Sequence, residues 1–175
     1  IISYIPDIKY IRNKKLPSIF TSDEIKRIVS SIDRNSALGK RAYAMIMLSV
    51  KYGLRSGDVV NLKFEDIDWE NKIIRISQNK TKRDMELPLL PEVGNAILDY
   101  LKNARRQSSL PFVFLNIKGP IHPITSSAFY GILNKHINKA SIENIDKRHH
   151  GPHSLRHRLA SQMLKNGEEL TTISA

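Results

Sequence analysis

Arg55 lies just past a glycine, and far downstream His153 and Arg156 stand three residues apart at the start of another apolar-periodic stretch. With Lys80 between them, these types fit one chemistry. Two guanidiniums, an imidazole and an ammonium can hold a phosphate whose negative charge grows during in-line displacement, without a metal ion. None of the six tyrosines (positions 4, 10, 43, 52, 100 and 130) follows Arg156, so the cradle comes with no attacking group behind it. No nucleophile is nominated, and Tyr43 and Tyr52 read as packing aromatics of a core helix.

Each residue also has a plainer reading. Arg55 taken alone is a surface arginine beyond a helix C-terminus. Its context adds a tight turn at Gly53 and an apolar anchor at Leu54, which would aim a guanidinium from fixed backbone as a bidentate phosphate clamp requires. Asp58, one turn later, is either an acid favoured by a helix N-terminus or a carboxylate that orients a neighbouring cation. Lys80 sits in a basic run with Lys82 and Arg83, and such runs are usually solvated. An ammonium with a lowered pKa can nevertheless protonate a leaving oxygen, which a guanidinium does poorly. His153 and Arg156 share a helix face, entered through Gly151 and Pro152. His149, His150 and His157 invite a metal reading, but no carboxylate or cysteine accompanies them at ligand spacing, so no metal site is assigned.

The elements that must carry these groups are legible in the pattern. A capping-box spacing at Thr21 and Glu24 precedes Ile25, Ile28, Val29 and Ile32, predicting a helix over 22–33. Residues 37–52 are apolar on most sides, predicting a buried helix stopped by Gly53, and 56–62 a short third helix. Strand-like runs at 67–69, 73–76 and 85–89 predict a small antiparallel sheet with a polar, basic tip at 78–84. Helical spacing returns at 93–101 and 126–139. Residues 111–115 read as extended and 141–151 as a polar loop. The fold class is therefore α+β, mainly helical with a three-stranded antiparallel sheet. Residues 1–15 read as a basic linker, and 16–175 as one domain.

Twenty-eight Lys and Arg against seventeen Asp and Glu give a net charge of +11 and a pI near 9.9, which point to a polyanionic partner, nucleic acid first. No long apolar run or strongly amphipathic basic helix favours a membrane. The absence of cysteine excludes disulfide scaffolds and thiolate metal sites. The start at Ile1, with no signal-peptide pattern, reads as a piece of a longer protein.

Taken together, Gly53-Leu54-Arg55-Ser56-Gly57-Asp58, the Lys80 hairpin and His153-Ser154-Leu155-Arg156-His157 resemble the catalytic domain of the tyrosine recombinases, the phage integrase family. Leu16-Pro17 and the run Phe20 to Ile25 are similar to that family's entry from its interdomain linker. The resemblance covers most of the chain and rests on the order and spacing of the motifs.

It implies that Arg55 and Arg156 grip the scissile phosphate, that Lys80 is the general acid toward the leaving 5′ oxygen, that His153 assists proton transfer and that Asp58 is the acidic support. Lys82, Arg83 and Arg158 are expected to contact DNA; at Arg158 the family often has a small hydroxyl residue. The family's further His or Trp and its nucleophilic tyrosine are expected beyond Ala175, so the catalytic domain reads as incomplete at its C-terminus. The segment alone should bind double-stranded DNA without cleaving it. The full-length protein would act as a bacterial, cytoplasmic, DNA-associated recombinase of a mobile element. It would form a 3′-phosphotyrosyl intermediate and work as a homotetramer on DNA, with no cofactor. The alternatives are a type IB topoisomerase-like enzyme and a DNA-binding relative that has lost catalysis.

Overall fold

The computed structural model describes residues 20–78, 83–148 and 151–165. The expected linker 1–15, Lys80, Lys82, His149 and His150 lie outside the described residues, as does the side chain of Arg83.

Six α-helices and three strands occur among the described residues: α1 (Ser22–Ser30), α2 (Ala37–Tyr52), α3 (Ser56–Asn61), β1 (Ile67–Asp68), β2 (Ile73–Gln78), β3 (Arg83–Pro88), α4 (Pro91–Asn103), α5 (Ser126–Lys139) and α6 (Pro152–Lys165). Short 3-10 turns at Phe64–Asp66 and Ile145–Lys147 complete them.

Local chemistry sets the helix ends. Thr21 accepts from the Glu24 N–H at 3.2 Å, while its own N–H donates to Glu24 Oε2 at 2.7 Å, so two orphan donors of α1 are satisfied reciprocally. The helix stops at Ser30, earlier than its apolar spacing predicts. Ser31 caps it with its N–H on the Arg27 and Ile28 carbonyls, and Ile32 is buried from beyond the helix. α2 starts from Ser36, which accepts from the Gly39 N–H at 3.1 Å, and ends at Gly53, whose φ of +62° is the left-handed conformation of a helix C-terminal glycine.

α2 is the axis of the core. Ala44, Met45, Ile46, Leu48 and Ser49 are fully enclosed, and α1, α3, α4, α5 and α6 all pack against this helix. Enclosure on all sides follows from its nearly unbroken apolar sequence. Tyr100 of α4 stacks on Phe114 with ring centroids 5.5 Å apart, joining the far side of this core to the irregular segment after α4. Arg105 ties that segment down by donating to the Leu110, Phe112 and Val113 carbonyls. The stretch expected to be extended at 111–115 therefore contributes only two isolated bridges, Lys63 with Phe112 and Leu115 with Pro123.

The sheet has the order β1-β2-β3, antiparallel throughout. Ile67 faces Ile74, Ile73 faces Pro88, Ile76 faces Met85, and Gln78 faces Arg83. Ile74 and Ile76 point into the core, while Arg75 and Ser77 alternate outward. Outside, Arg75 bonds Glu86 at 3.0 Å and Asp68 at 3.3 Å, and Ser77 donates to Asp84. These polar pairs let β3 begin at Arg83, two residues before the apolar pattern predicts. Pairing thus reaches Gln78 and Arg83, inside the stretch 78–84 read as the tip.

Candidate active site

Three of the candidate residues, Arg55, Asp58 and Arg156, lie at the C-terminal end of α2. Gly53 turns the chain, Leu54 is buried beneath it, and Arg55 follows as the residue before α3. An arginine cannot accept a helix N–H, so this start lacks an ordinary side-chain cap. The reverse half of the motif is present: the Arg55 N–H donates to Asp58 Oδ2 at 3.2 Å. Asp58 thereby fixes the backbone from which the Arg55 guanidinium projects.

α6 arrives on the other side of the same turn. Arg156 Nη1 donates to the Gly53 carbonyl at 3.1 Å, an oxygen at the open C-terminal end of α2. The backbones are close enough that a Cβ at Gly53 would stand 3.1 Å from Leu159 Cδ2 and 3.6 Å from Arg156 Cα. The entry to α6 is equally constrained. Gly151 has φ +142°, and a Cβ there would meet Tyr130 Cε2 of α5 at 2.7 Å, so a larger residue before Pro152 would be strained and would have to displace that ring.

Arg55, Asp58 and Arg156 influence one another electrostatically. Burial pushes the Asp58 carboxyl above its usual value, although the Arg55 N–H and both guanidiniums pull the other way. Burial likewise lowers Arg156, the like charge of Arg55 lowers it further, and Asp58 opposes both. Each of the two arginines and the carboxylate thus lies within range of the others' charge.

His153 is exposed at the first turn of α6, one turn before Arg156, so the helix presents an imidazole to solvent beside the paired arginines. The hairpin approaches from the sheet: Ser77 of β2 and Asp58 of α3 line one recess of about 150 Å³, together with Gly57 and Asn61. The strand leading to the Lys80 segment thus runs beside the acidic member of the site. Arg158 donates to Ser22 Oγ at 3.0 Å, joining α6 to the first residue of α1. Among the described residues no three His, Cys, Asp or Glu side chains gather where they could hold a metal ion, and no helix is long and apolar enough to cross a membrane.

Two contributors escaped sequence reasoning. Arg148, in the segment before α6, pairs with Glu24 at 2.7 Å and lies over the Phe20 ring. Tyr52, read as a packing aromatic, places its hydroxyl between the Pro88 carbonyl and the Leu90 N–H. The only sequence signal for the second is a phenol on the last residue of a helix, directly before the site glycine.

This mainly helical fold with its small antiparallel sheet is shared with solved tyrosine recombinases. The chain belongs to the phage integrase family, whose model matches residues 18–175. It is 40% identical over 159 residues to the putative integrase/recombinase y4rA of Sinorhizobium fredii, covering 90% of this chain and 38% of that protein. It is 30% identical over 165 residues to the tyrosine recombinase XerD of Listeria innocua, covering 91% and 53% respectively. Among solved structures, the XerH site-specific recombinase bound to palindromic difH substrate in a post-cleavage complex superposes with a TM-score of 0.73. That match has 24% identity and covers 98% of this chain and 51% of the other. The chain therefore spans about half or less of the length of these relatives.

Proposed function

We propose that this chain is the phosphate-gripping part of a tyrosine-type site-specific DNA recombinase, with the domain starting near residue 16 after a basic linker. The observation that carries the reading is the meeting of Arg55 and Arg156 at the end of α2. Neighbouring, partly desolvated cations repel each other, and a phosphate that both can reach replaces that repulsion with two attractions. The attraction grows as negative charge accumulates in the transition state, which makes the pair a catalytic device as well as a binding one.

In this mechanism a tyrosine from outside the present 175 residues attacks phosphorus. The Tyr O–P bond forms, the P–O5′ bond breaks, and Lys80 delivers a proton to the departing 5′ oxygen. His153, exposed beside Arg156, assists the proton transfer, and Asp58 holds the Arg55 backbone. Religation reverses the steps with another 5′ hydroxyl. The ester energy stays in the phosphotyrosine, so the exchange consumes no ATP. Lys82, Arg83 and Arg158 would contact the flanking backbone, and four copies would assemble on two duplexes. The net charge of +11 suits such a partner, and XerH, a site-specific recombinase of similar fold, is bound to its palindromic difH substrate.

The test is Arg55→Ala and Arg156→Ala in the full-length protein, comparing strand cleavage with equilibrium binding to duplex DNA. Cleavage should fall by at least about a hundredfold, as for lost transition-state contacts, while affinity changes by only a few fold. Equal losses in both, or unimpaired cleavage, would remove the arginines from the chemistry.

A further inference from the structure

Tyr52 is the last residue of α2, directly before Gly53. Its hydroxyl donates to the Pro88 carbonyl at 2.7 Å and accepts from the Leu90 N–H at 2.9 Å. Pro88 ends β3, and Leu90 immediately precedes α4. One phenol therefore uses both its donor and an acceptor lone pair on the two backbone groups that flank Leu89, where the chain leaves the sheet. Burial raises the phenol above its ordinary pKa, which keeps the proton it needs to donate.

The position of this bridge matters more than its strength. Ile73 and Pro88 pair at the root of the β2–β3 hairpin, and Gln78 and Arg83 pair at its described end. Fastening Pro88 sets where the whole two-stranded lever starts. The anchor residue is joined by one peptide bond to Gly53, whose carbonyl takes Arg156 and after which Arg55 emerges. A single stretch of α2 backbone thus references the hairpin on one side and both arginines on the other.

We infer that Tyr52 is a positioning residue that holds the hairpin in register with the two-arginine site, so that a proton donor on the hairpin reaches the leaving oxygen. The inference rests on the recombinase reading given above. It assigns Tyr52 no contact with DNA and no covalent role. Small displacements of a catalytic group carry large rate penalties, so losing the hydroxyl at the root should slow the step that uses the hairpin's proton donor.

The variant is Tyr52→Phe, which keeps the ring and removes only the bridge. Full-length protein would be assayed on a duplex bearing its recombination site, and on the same duplex with sulfur replacing the bridging 5′ oxygen. A thiolate leaves without being protonated, so the second substrate needs no general acid. Expected are cleavage of ordinary DNA slowed about tenfold, cleavage of the sulfur substrate within about twofold of the unaltered protein, and faster hydrogen exchange at the Leu90 amide with Ile97 unchanged. Equal slowing on both substrates, no slowing on either, or an unaltered Leu90 amide overturns the assignment. Failure of the unaltered protein to cleave either DNA would instead bring down the recombinase reading, and this inference with it.

Discussion

Gly53→Ala is the most informative single change, because the structure sets two separate costs at that atom. The first is backbone: φ is +62°, and an L-residue with a Cβ is disfavoured there by roughly 1–2 kcal/mol. The second is contact: the new methyl would lie 3.1 Å from Leu159 Cδ2, inside the roughly 3.5–4.0 Å optimum for carbon pairs. Displacing that leucine from its rotamer costs about 0.5–1.5 kcal/mol. Against these stands a gain of roughly 0.4–1 kcal/mol from the less flexible unfolded chain. The net is a loss of roughly 0.5–3 kcal/mol, and for a chain of this size the midpoint of thermal unfolding should fall by roughly 1–12 °C. Gly53→Asn separates the two costs, since asparagine tolerates the left-handed region but still brings a Cβ against α6. It should therefore fall between alanine and glycine in a calorimetric scan. An alanine variant as stable as glycine, or asparagine and alanine melting together, would refute the reasoning.

Further tests concern the junctions around α1. Glu24 is raised by burial but lowered more by the Arg148 and Thr21 hydrogen bonds and the Arg148 charge, for a net fall below its ordinary 4.5. A depressed carboxylate contributes stability that is present above the unfolded pKa and lost as pH falls through the lower folded one. Arg148→Gln should flatten the acid side of the melting-temperature profile below about pH 4.5, and parallel profiles would count against the pair. Burial, then the charges of Lys139 and Lys135, lower the pKa of His136, whose Nδ1 lies 3.1 Å from Ser31 Oγ. Its neutral form is favoured in the fold, so stability should decline as pH drops below about 6.5. His136→Asn should remove that slope in unfolding titrations between pH 7.5 and 5, and an unchanged slope would place its origin elsewhere.

What could be read from the sequence was local. The Thr21 and Glu24 box, the apolar run of α2 and the glycine after it act within a few residues, so their pattern carries their structure. Roles for Arg55 and Arg156 come from resemblance alone, whereas the Gly53 carbonyl that receives Arg156 is visible only in the fold. The start of β3 is hidden in the sequence because Arg83 and Asp84 look like loop residues until the register sets them opposite Gln78 and Ser77. The Arg148–Glu24 pair spans 124 positions, and no periodicity reports a partner that far away. Arg41 illustrates the same blindness. It is buried inside α2 with Nη1 on the Leu115 carbonyl at 2.8 Å, although its type alone suggests a surface position.

The bond from Arg156 to the Gly53 carbonyl closes a loop across 103 positions. Ribosomes extend a chain by roughly 5–20 residues per second, so Arg55 leaves the exit tunnel several seconds ahead of the helix that completes the pair. Until then the Gly53 carbonyl lacks its Arg156 donor, so this end of α2 is completed only after synthesis has passed α6.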